Sequence, residues 1–315
     1  MPDRAFRAVR RCWCGEPNLF AYSDDYNVCR VCGTLVTRAE VRPADLAVTA
    51  DQDELYSKDY WLRRQPARHG LPSLEERTRT DLPERCVHWL KLLLARRLPP
   101  ARVLEVGCAH GGYVAMMRWA GYDAAGIEMS PFIVNYARET FGVPVTAGPV
   151  ETQDFAAGSF DVIILNDVIE HLPDPAATLG HCARLLKPDG FFIIQTPEYK
   201  EHLSYADVIA TGDPFKIHMQ GKNDEHLYLF SRRSTQRLFA QLGFPHIGFE
   251  NPIFAYDLFY TASRAPLPAH DGAAVAGALC AQPPAGRLVL ALLDKAFEST
   301  DRWWEIQRLK AKLSS

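Results

Sequence analysis

Two short cysteine pairs open the chain, Cys12-Trp13-Cys14-Gly15 and Cys29-Arg30-Val31-Cys32-Gly33. In a reducing compartment, close thiol pairs point to a metal rather than to disulfides. The glycine after each pair permits a turn that aims backbone amides at the thiolates. Four thiolates complete a closed tetrahedral site, so a zinc ion held by Cys12, Cys14, Cys29 and Cys32 would be structural rather than catalytic. It would supply folding energy that so short a segment cannot draw from a core. The first pair is spaced C-x-C, which needs a tighter turn than C-x-x-C. The other cysteines, Cys86, Cys108, Cys182 and Cys280, are scattered among apolar or small residues.

A different chemistry is written at Val103-Leu104-Glu105-Val106-Gly107-Cys108-Ala109-His110-Gly111-Gly112, which reads as a strand, a tight turn and a helix start. Gly107 lets the chain leave the strand sharply, and Gly111 lets backbone approach a ligand with no side chain between. Glu128, 21 residues beyond Gly107, ends the next strand, where its carboxylate can accept both hydroxyls of a ribose. Dinucleotide-binding turns share these features, but they need glycine at the second position so that a pyrophosphate can rest on the helix N-terminus. Here that position is Ala109. Glu105 would also repel phosphates, whereas it suits a cofactor carrying an amino group and a sulfonium. The charges favour S-adenosylmethionine over NAD.

The elements that must position these groups alternate regularly. Arg102–Val106, Asp123–Ile127, Pro144–Thr146, Phe160–Leu165 and Phe191–Thr196 read as strands, with helices through Ala120, over Pro131–Phe141 and over Ala176–Leu186 between them. Such alternation implies an α/β, Rossmann-like, mostly parallel sheet with helices on both faces. A helix over Thr235–Leu242 and β-like runs at Ile247–Glu250 and Phe254–Thr261 follow, for seven strands in all. The boundaries read as a Cys-rich module over 1–45 and a helical bridge over 46–100. The α/β domain spans 101–263 with an insertion at about 197–230, and 264–315 holds a linker and a C-terminal amphipathic helix. Within the bridge, Leu82–Arg97 places Val87, Leu90, Leu93 and Leu94 at helical spacing. The Ala-, Pro- and Gly-rich stretch Ala265–Ala285 reads as the linker, and Leu288–Leu313 puts Leu292, Leu293, Phe297, Trp304 and Leu309 near one face. That helix could dock on the body or pair two copies as a homodimer.

The run from Arg102 to Pro197 resembles the class I S-adenosylmethionine-dependent methyltransferases, particularly the small-molecule type with a Glu-His pair after the fourth strand. Phe160-Asp161-Val162-Ile163-Ile164-Leu165-Asn166-Asp167-Val168-Ile169-Glu170-His171-Leu172-Pro173 matches that strand motif, and Leu185-Leu186-Lys187-Pro188-Asp189-Gly190-Phe191 matches the turn before the fifth strand. The resemblance covers about a third of the chain closely, with looser similarity to Thr261. It implies that Glu105 and Gly107 face the methionine end of the cofactor, where Asn166 also lies, and that the turn residues Cys108 and Gly111 bind the cofactor as well. Glu128 with Met129 would hold the ribose, and Pro149-Val150 would contact the adenine. Many relatives carry an acid near position 149. Proline here leaves the adenine amine to backbone groups or to Asp154. Tyr56, Tyr60 and Trp61 resemble the aromatic segment that covers the cofactor in related enzymes, or serve as core of the bridge.

Methyl transfer to a hydroxyl also requires a proton to be removed, and histidine suits that task near neutral pH. His171 is the first candidate base, because it follows the fourth strand, and His226 in the insertion is the second. His202 and His218 read as surface residues, and Asp167 and Asp174 leave open a carboxylate-bound divalent metal. The cysteine pairs resemble the two knuckles of a zinc ribbon. Such ribbons precede the catalytic domain in several antibiotic, sugar and glycan methyltransferases and in an rRNA methyltransferase.

Composition bounds the partners. A net charge of -3 and 23% charged residues give no basic footprint for nucleic acid. No apolar run approaches the ~20 residues of a membrane span, and the charged first residues are not a secretory signal, so a cytoplasmic protein is expected. The leading expectation is O-methylation of a sugar or glycosylated small molecule in glycan or natural-product assembly. The alternatives are an RNA methyltransferase that binds RNA through the ribbon, and a scaffold without catalysis.

Overall fold

The computed structural model describes residues 11–39, 56–70, 72–219, 226–282, 284–296 and 298. The Cys-rich module forms a three-strand meander of β1 (Phe20–Ala21), β2 (Tyr26–Cys29) and β3 (Thr34–Thr37). Short helices α1 (Gln65–His69) and α2 (Leu74–Thr80) lead through a wide turn at Leu82–Cys86 to α3 (Val87–Arg96). The alternation then runs β4 (Arg102–Val106), α4 (Gly112–Trp119), β5 (Asp123–Glu128), α5 (Pro131–Phe141), β6 (Val145–Ala147), β7 (Phe160–Asn166), α6 (Pro175–Leu185) and β8 (Leu186–Pro197). The insertion carries α7 (Tyr205–Thr211), a 3-10 turn at Pro214–Met219 and β9 (Tyr228–Leu229). The remaining elements are α8 (Arg232–Gln241), β10 (His246–Glu250), β11 (Asp257–Ser263) and α9 (Gly272–Cys280).

The large sheet has seven strands in the order β10-β11-β8-β7-β4-β5-β6. Its pairs from β8 to β6 are parallel, and β11 runs antiparallel to both of its neighbours. Alternation along each strand feeds two cores. Val103, Val162, Ile164, Phe191 and Ile193 face the layer containing Leu90, Leu93, Val114 and Val134. Their neighbours Leu104, Ile163, Leu165, Phe192 and Ile194 face the layer containing Leu179, Leu238 and Phe239. Strands buried on both sides read as unbroken apolar runs for this reason. Chain order reverses between β4 and β7, which opens a crevice at the carboxyl ends of these strands.

Local chemistry sets the helix ends. Pro131 sits in the first turn of α5 and Gly142 closes it in the left-handed region at φ 64°. The Asp174 side chain caps α6 by accepting from the Ala177 amide.

The stretch read as a linker over 265–285 instead contains α9. Asp271 caps it at the Ala274 amide, alanine supplies the propensity, and buried Leu279 anchors it to the first core. A further helix runs over 285–296 and buries Val289 and Leu293 in that same core. Phe297, Trp304 and Leu309 lie outside the described residues. The small sheet has the order β1-β2-β3-β9, so the insertion supplies the fourth strand of the Cys-rich module. No helix among the described residues is long and apolar enough to cross a membrane.

Candidate active site

A cavity of about 660 Å³ opens at the carboxyl ends of β4, β5 and β7. Glu105, Gly107, Cys108, Glu128, Met129, Pro149, Val150, Asn166 and His171 all line it, drawn from segments far apart in sequence. The turn after β4 is held open by backbone geometry. Gly107 has φ +75°, and a Cβ there would fall 2.5 Å from Val168 Cγ2. Ala109, at the second glycine position, also adopts positive φ, at 47°. Gly111 is the left-handed residue before α4, backed by Ala137 and Val143, and it is Gly112 that reaches the cavity wall.

Glu128 holds the floor of the cavity together. Its carboxylate accepts the amides of Met129 at 2.8 Å, Ala109 at 3.1 Å and Ser130 at 3.3 Å, tying the end of β5 to the turn after β4. Burial pushes its carboxyl upward, opposed by those three amides. Glu105 has no such relief. It is 3% exposed, Oε2 has no partner among the described residues, and burial followed by the Glu128 charge drives its carboxyl well above the ordinary range. The amide of Asn166 and the Tyr113 hydroxyl are likewise buried and unpartnered among those residues. Buried polar groups are normally satisfied. A set of them around one cavity therefore fits a polar ligand with a cationic group, as S-adenosylmethionine has.

The sequence reading missed the residues of α2 and the turn beyond it. Arg77, Asp81 and Arg85 line the cavity, with Arg77 3.3 Å from Asp81 and Arg85 3.9 Å from Asp167. His110 Nε2 lies 3.0 Å from Asp81. Its Nδ1 accepts the Gly112 amide at 3.2 Å, so the Nε2 proton points to Asp81. Burial would raise the Asp81 carboxyl, but His110 and Arg77 together bring it below the ordinary value. Nothing in the sequence marked this wall beyond a helical bridge over 46–100, because its polar residues look like any solvated surface.

The His171 ring stands on the cavity wall, 6.0 Å from the Tyr56 ring and 4.8 Å from the His226 ring behind it. His226 itself does not line the cavity. Ligand atoms of Glu170, His171 and His226 all lie within 4.8 Å of one another. Glu170 is fully buried, with Oε2 accepting from the Thr196 hydroxyl at 2.9 Å and Oε1 unpartnered among the described residues. Burial and the Asp167 charge raise its carboxyl well above the usual range. Asp167 adopts φ 56° at the end of β7 and receives the Gln195 amide at 3.2 Å, while Gln195 in turn receives the Trp89 indole. Asp174 lines the rim as the α6 cap. His202 is exposed, whereas the His218 ring is 5.3 Å from that of His226.

The cysteine pairs converge as the spacing requires. Sγ atoms of Cys12, Cys14, Cys29 and Cys32 lie within 4.8 Å of one another, with Cys12 and Cys32 3.4 Å apart. The hydrogen bond from Cys12 draws the Cys32 thiol down to about 5, while Cys12 rises. Negative charge shared by crowded thiols is what a tetrahedral zinc would neutralise, so the residues fit that ion.

A family model described as a methyltransferase domain matches residues 78–247. The chain belongs to the methyltransferase domain family. Its sheet is the class I fold whose methyl donor is S-adenosylmethionine. Among curated relatives, the ubiquinone biosynthesis O-methyltransferase of Xanthomonas axonopodis pv. citri (strain 306) is 36% identical over 128 residues, covering 37% of this chain and 54% of the relative. The enzyme of the same name from Thiobacillus denitrificans (strain ATCC 25259 / T1) is 37% identical over 101 residues, covering 30% and 44%. The chain thus spans about half the length of the curated relatives it matches. Among solved structures, magnesium protoporphyrin IX methyltransferase from Synechocystis PCC 6803 aligns with a TM-score of 0.46 at 18% identity, over 66% of this chain and 97% of that one.

Proposed function

We propose that this protein is an O-methyltransferase that acts in the cytoplasm on a hydroxyl of a sugar or glycosylated small molecule. The observation that carries the proposal is His171 on the wall of the same cavity that Glu105, Glu128 and Asn166 line. When bound, S-adenosylmethionine supplies an electrophilic methyl group on a sulfonium. In this proposal Glu105 and Asn166 hold the methionine end, and Glu128 with Met129 holds the ribose. Gly107 and Cys108 admit the cofactor to the turn, Gly111 sets the turn's backbone, and Pro149 and Val150 face the adenine. His171 takes the acceptor's hydroxyl proton as the new carbon–oxygen bond forms, with His226 behind it. Tyr56, Tyr60 and Trp61 offer aromatic faces to the ring of an acceptor, and Arg85 and Asp167 offer polar groups to its hydroxyls.

The relatives' name supports oxygen as the acceptor atom, and a phenol of the kind it implies is the nearest competing substrate. One observation favours a second route to the same product. Glu170, His171 and His226 could hold a divalent cation that lowers the acidity threshold of a bound hydroxyl. The four-cysteine module is read as a zinc site.

The test is a cofactor-consumption screen over nucleotide sugars, glycans and phenols, followed by His171→Ala on the best acceptor. Turnover should fall by roughly 10²–10⁴ while cofactor affinity stays nearly intact, and the rising limb of the pH–rate profile should disappear. An unchanged rate in the variant sinks the base assignment. Loss of wild-type turnover on chelation with the zinc of the four-cysteine cluster retained, and with His171→Ala also inactive, moves the chemistry to the cation route. Salt-dependent RNA affinity with no small-molecule turnover would instead favour an RNA substrate.

A further inference from the structure

The Cys-rich module is hydrogen-bonded, through β9, to the segment that carries Glu170 and His171. Strand β3 pairs with β9, with Leu35 opposite Leu229 and Val36 opposite Tyr228. The Thr37 amide continues the ladder to the Leu227 carbonyl at 3.0 Å, and the Leu227 amide donates to the Glu170 carbonyl at 2.8 Å. Residue 227 is therefore zipped between the module and the segment that carries Glu170 and His171. Immediately before it, the buried Tyr26 hydroxyl donates to the His226 carbonyl at 2.9 Å and lies 3.4 Å from the His218 carbonyl.

That contact bears on the imidazole itself. His226 Nδ1 is 3.1 Å from the same His218 carbonyl. A carbonyl oxygen can only accept, so Nδ1 carries the proton and the lone pair of the neutral ring sits on Nε2. The Tyr26 ring packs with Leu35, Tyr199, Phe215, Met219 and Leu229, so its hydroxyl is aimed by a rigid cluster.

We propose that Tyr26 is a positioning residue for the acceptor site: by fixing the His218 and His226 carbonyls, it holds the His226 ring in one tautomer behind His171. The module's role is then to support the site from below rather than to capture RNA. This rests on the reading that the His171–His226 side meets the acceptor.

The test replaces one hydroxyl in the full-length protein loaded with S-adenosylhomocysteine. Tyr26→Phe keeps the ring and its packing, and Tyr22→Phe is the control, because Tyr22 makes a comparable bond from the module to the Leu203 carbonyl at 3.1 Å. Nitrogen-15 correlation spectra of the histidine rings report the tautomer directly, with no acceptor needed. Wild type and Tyr22→Phe should show His226 as the Nδ1–H form, and Tyr26→Phe should show exchange between both forms with S-adenosylmethionine affinity within twofold of wild type. Unchanged His226 signals in Tyr26→Phe, or an equal change in Tyr22→Phe, overturns the proposal. With an acceptor in hand, Tyr26→Phe should lower kcat about tenfold at unchanged cofactor KM. If Tyr26→Phe shifts the tautomer but His226→Ala leaves turnover intact, the tautomer effect stands and the acceptor-side reading fails instead.

Discussion

Glu105 is a carboxyl group held in apolar surroundings, with Oε2 unsatisfied among the described residues and a second acid, Glu128, nearby. Burial disfavours its charged form, so without a ligand it binds a proton more tightly than an ordinary glutamate does. A ligand bearing positive charge reverses that preference. Binding must then release a proton, and affinity must rise with pH until the ligand-free group ionises by itself. The expected slope is up to tenfold in Kd per pH unit, from one linked proton. Calorimetry of S-adenosylmethionine binding in buffers of different ionisation enthalpy measures that proton, and Glu105→Gln should abolish it. Buffer-independent heats with a flat Kd in wild type would show that Glu105 does not face the cation. The residue type and its place at the end of a strand were legible in the sequence. The unsatisfied oxygen was not, because it depends on which groups other segments bring within reach.

At the scale of elements, the turn after β4 is set by backbone more than by side chains. Gly107 adopts φ +75° with Val168 Cγ2 2.5 Å from where a Cβ would stand. Alanine in the left-handed region costs about 1–2 kcal/mol, and Val168 must also move. Gly107→Ala should therefore lower the denaturation midpoint measurably and weaken cofactor binding together. A variant with wild-type stability and affinity would mean the turn is not under this constraint. The strands were readable from their unbroken apolar runs, and α5 from the proline in its first turn. Helix α9 was not, since Ala, Gly and Pro together look like a linker until Leu279 finds a core to enter. The wall at Arg77, Asp81 and Arg85 was hidden for a related reason. Charged residues on a helix face water unless another element roofs them, and that roof is a tertiary fact.

The whole molecule joins two sheets through β9, which belongs to the insertion in sequence and to the Cys-rich module in space. The four-cysteine cluster should therefore matter beyond its own residues. Protein purified under reducing, chelator-free conditions should carry about one zinc per chain. Cys29→Ser should lose the metal and unfold the module, since a closed site does not tolerate a missing thiolate. Metal analysis near zero in folded wild type would refute the zinc site. The spacing of the cysteines predicted their convergence, but nothing in it predicted that the module would take a strand from the insertion, because strand pairing across some 190 residues leaves no local signature.

The crevice between β4 and β7 should be a site for S-adenosylmethionine, with Glu128 as its most direct probe. The most direct measurement is calorimetric titration of the folded wild-type and Glu128→Ala proteins with S-adenosylmethionine, alongside NADH. Hydrogen bonds to a carboxylate contribute about 1.5–3 kcal/mol each. Wild type should show one site per chain, Glu128→Ala should bind at least tenfold more weakly, and NADH should not bind measurably. Unchanged affinity in a folded Glu128→Ala, or NADH bound in place of S-adenosylmethionine, would contradict that assignment.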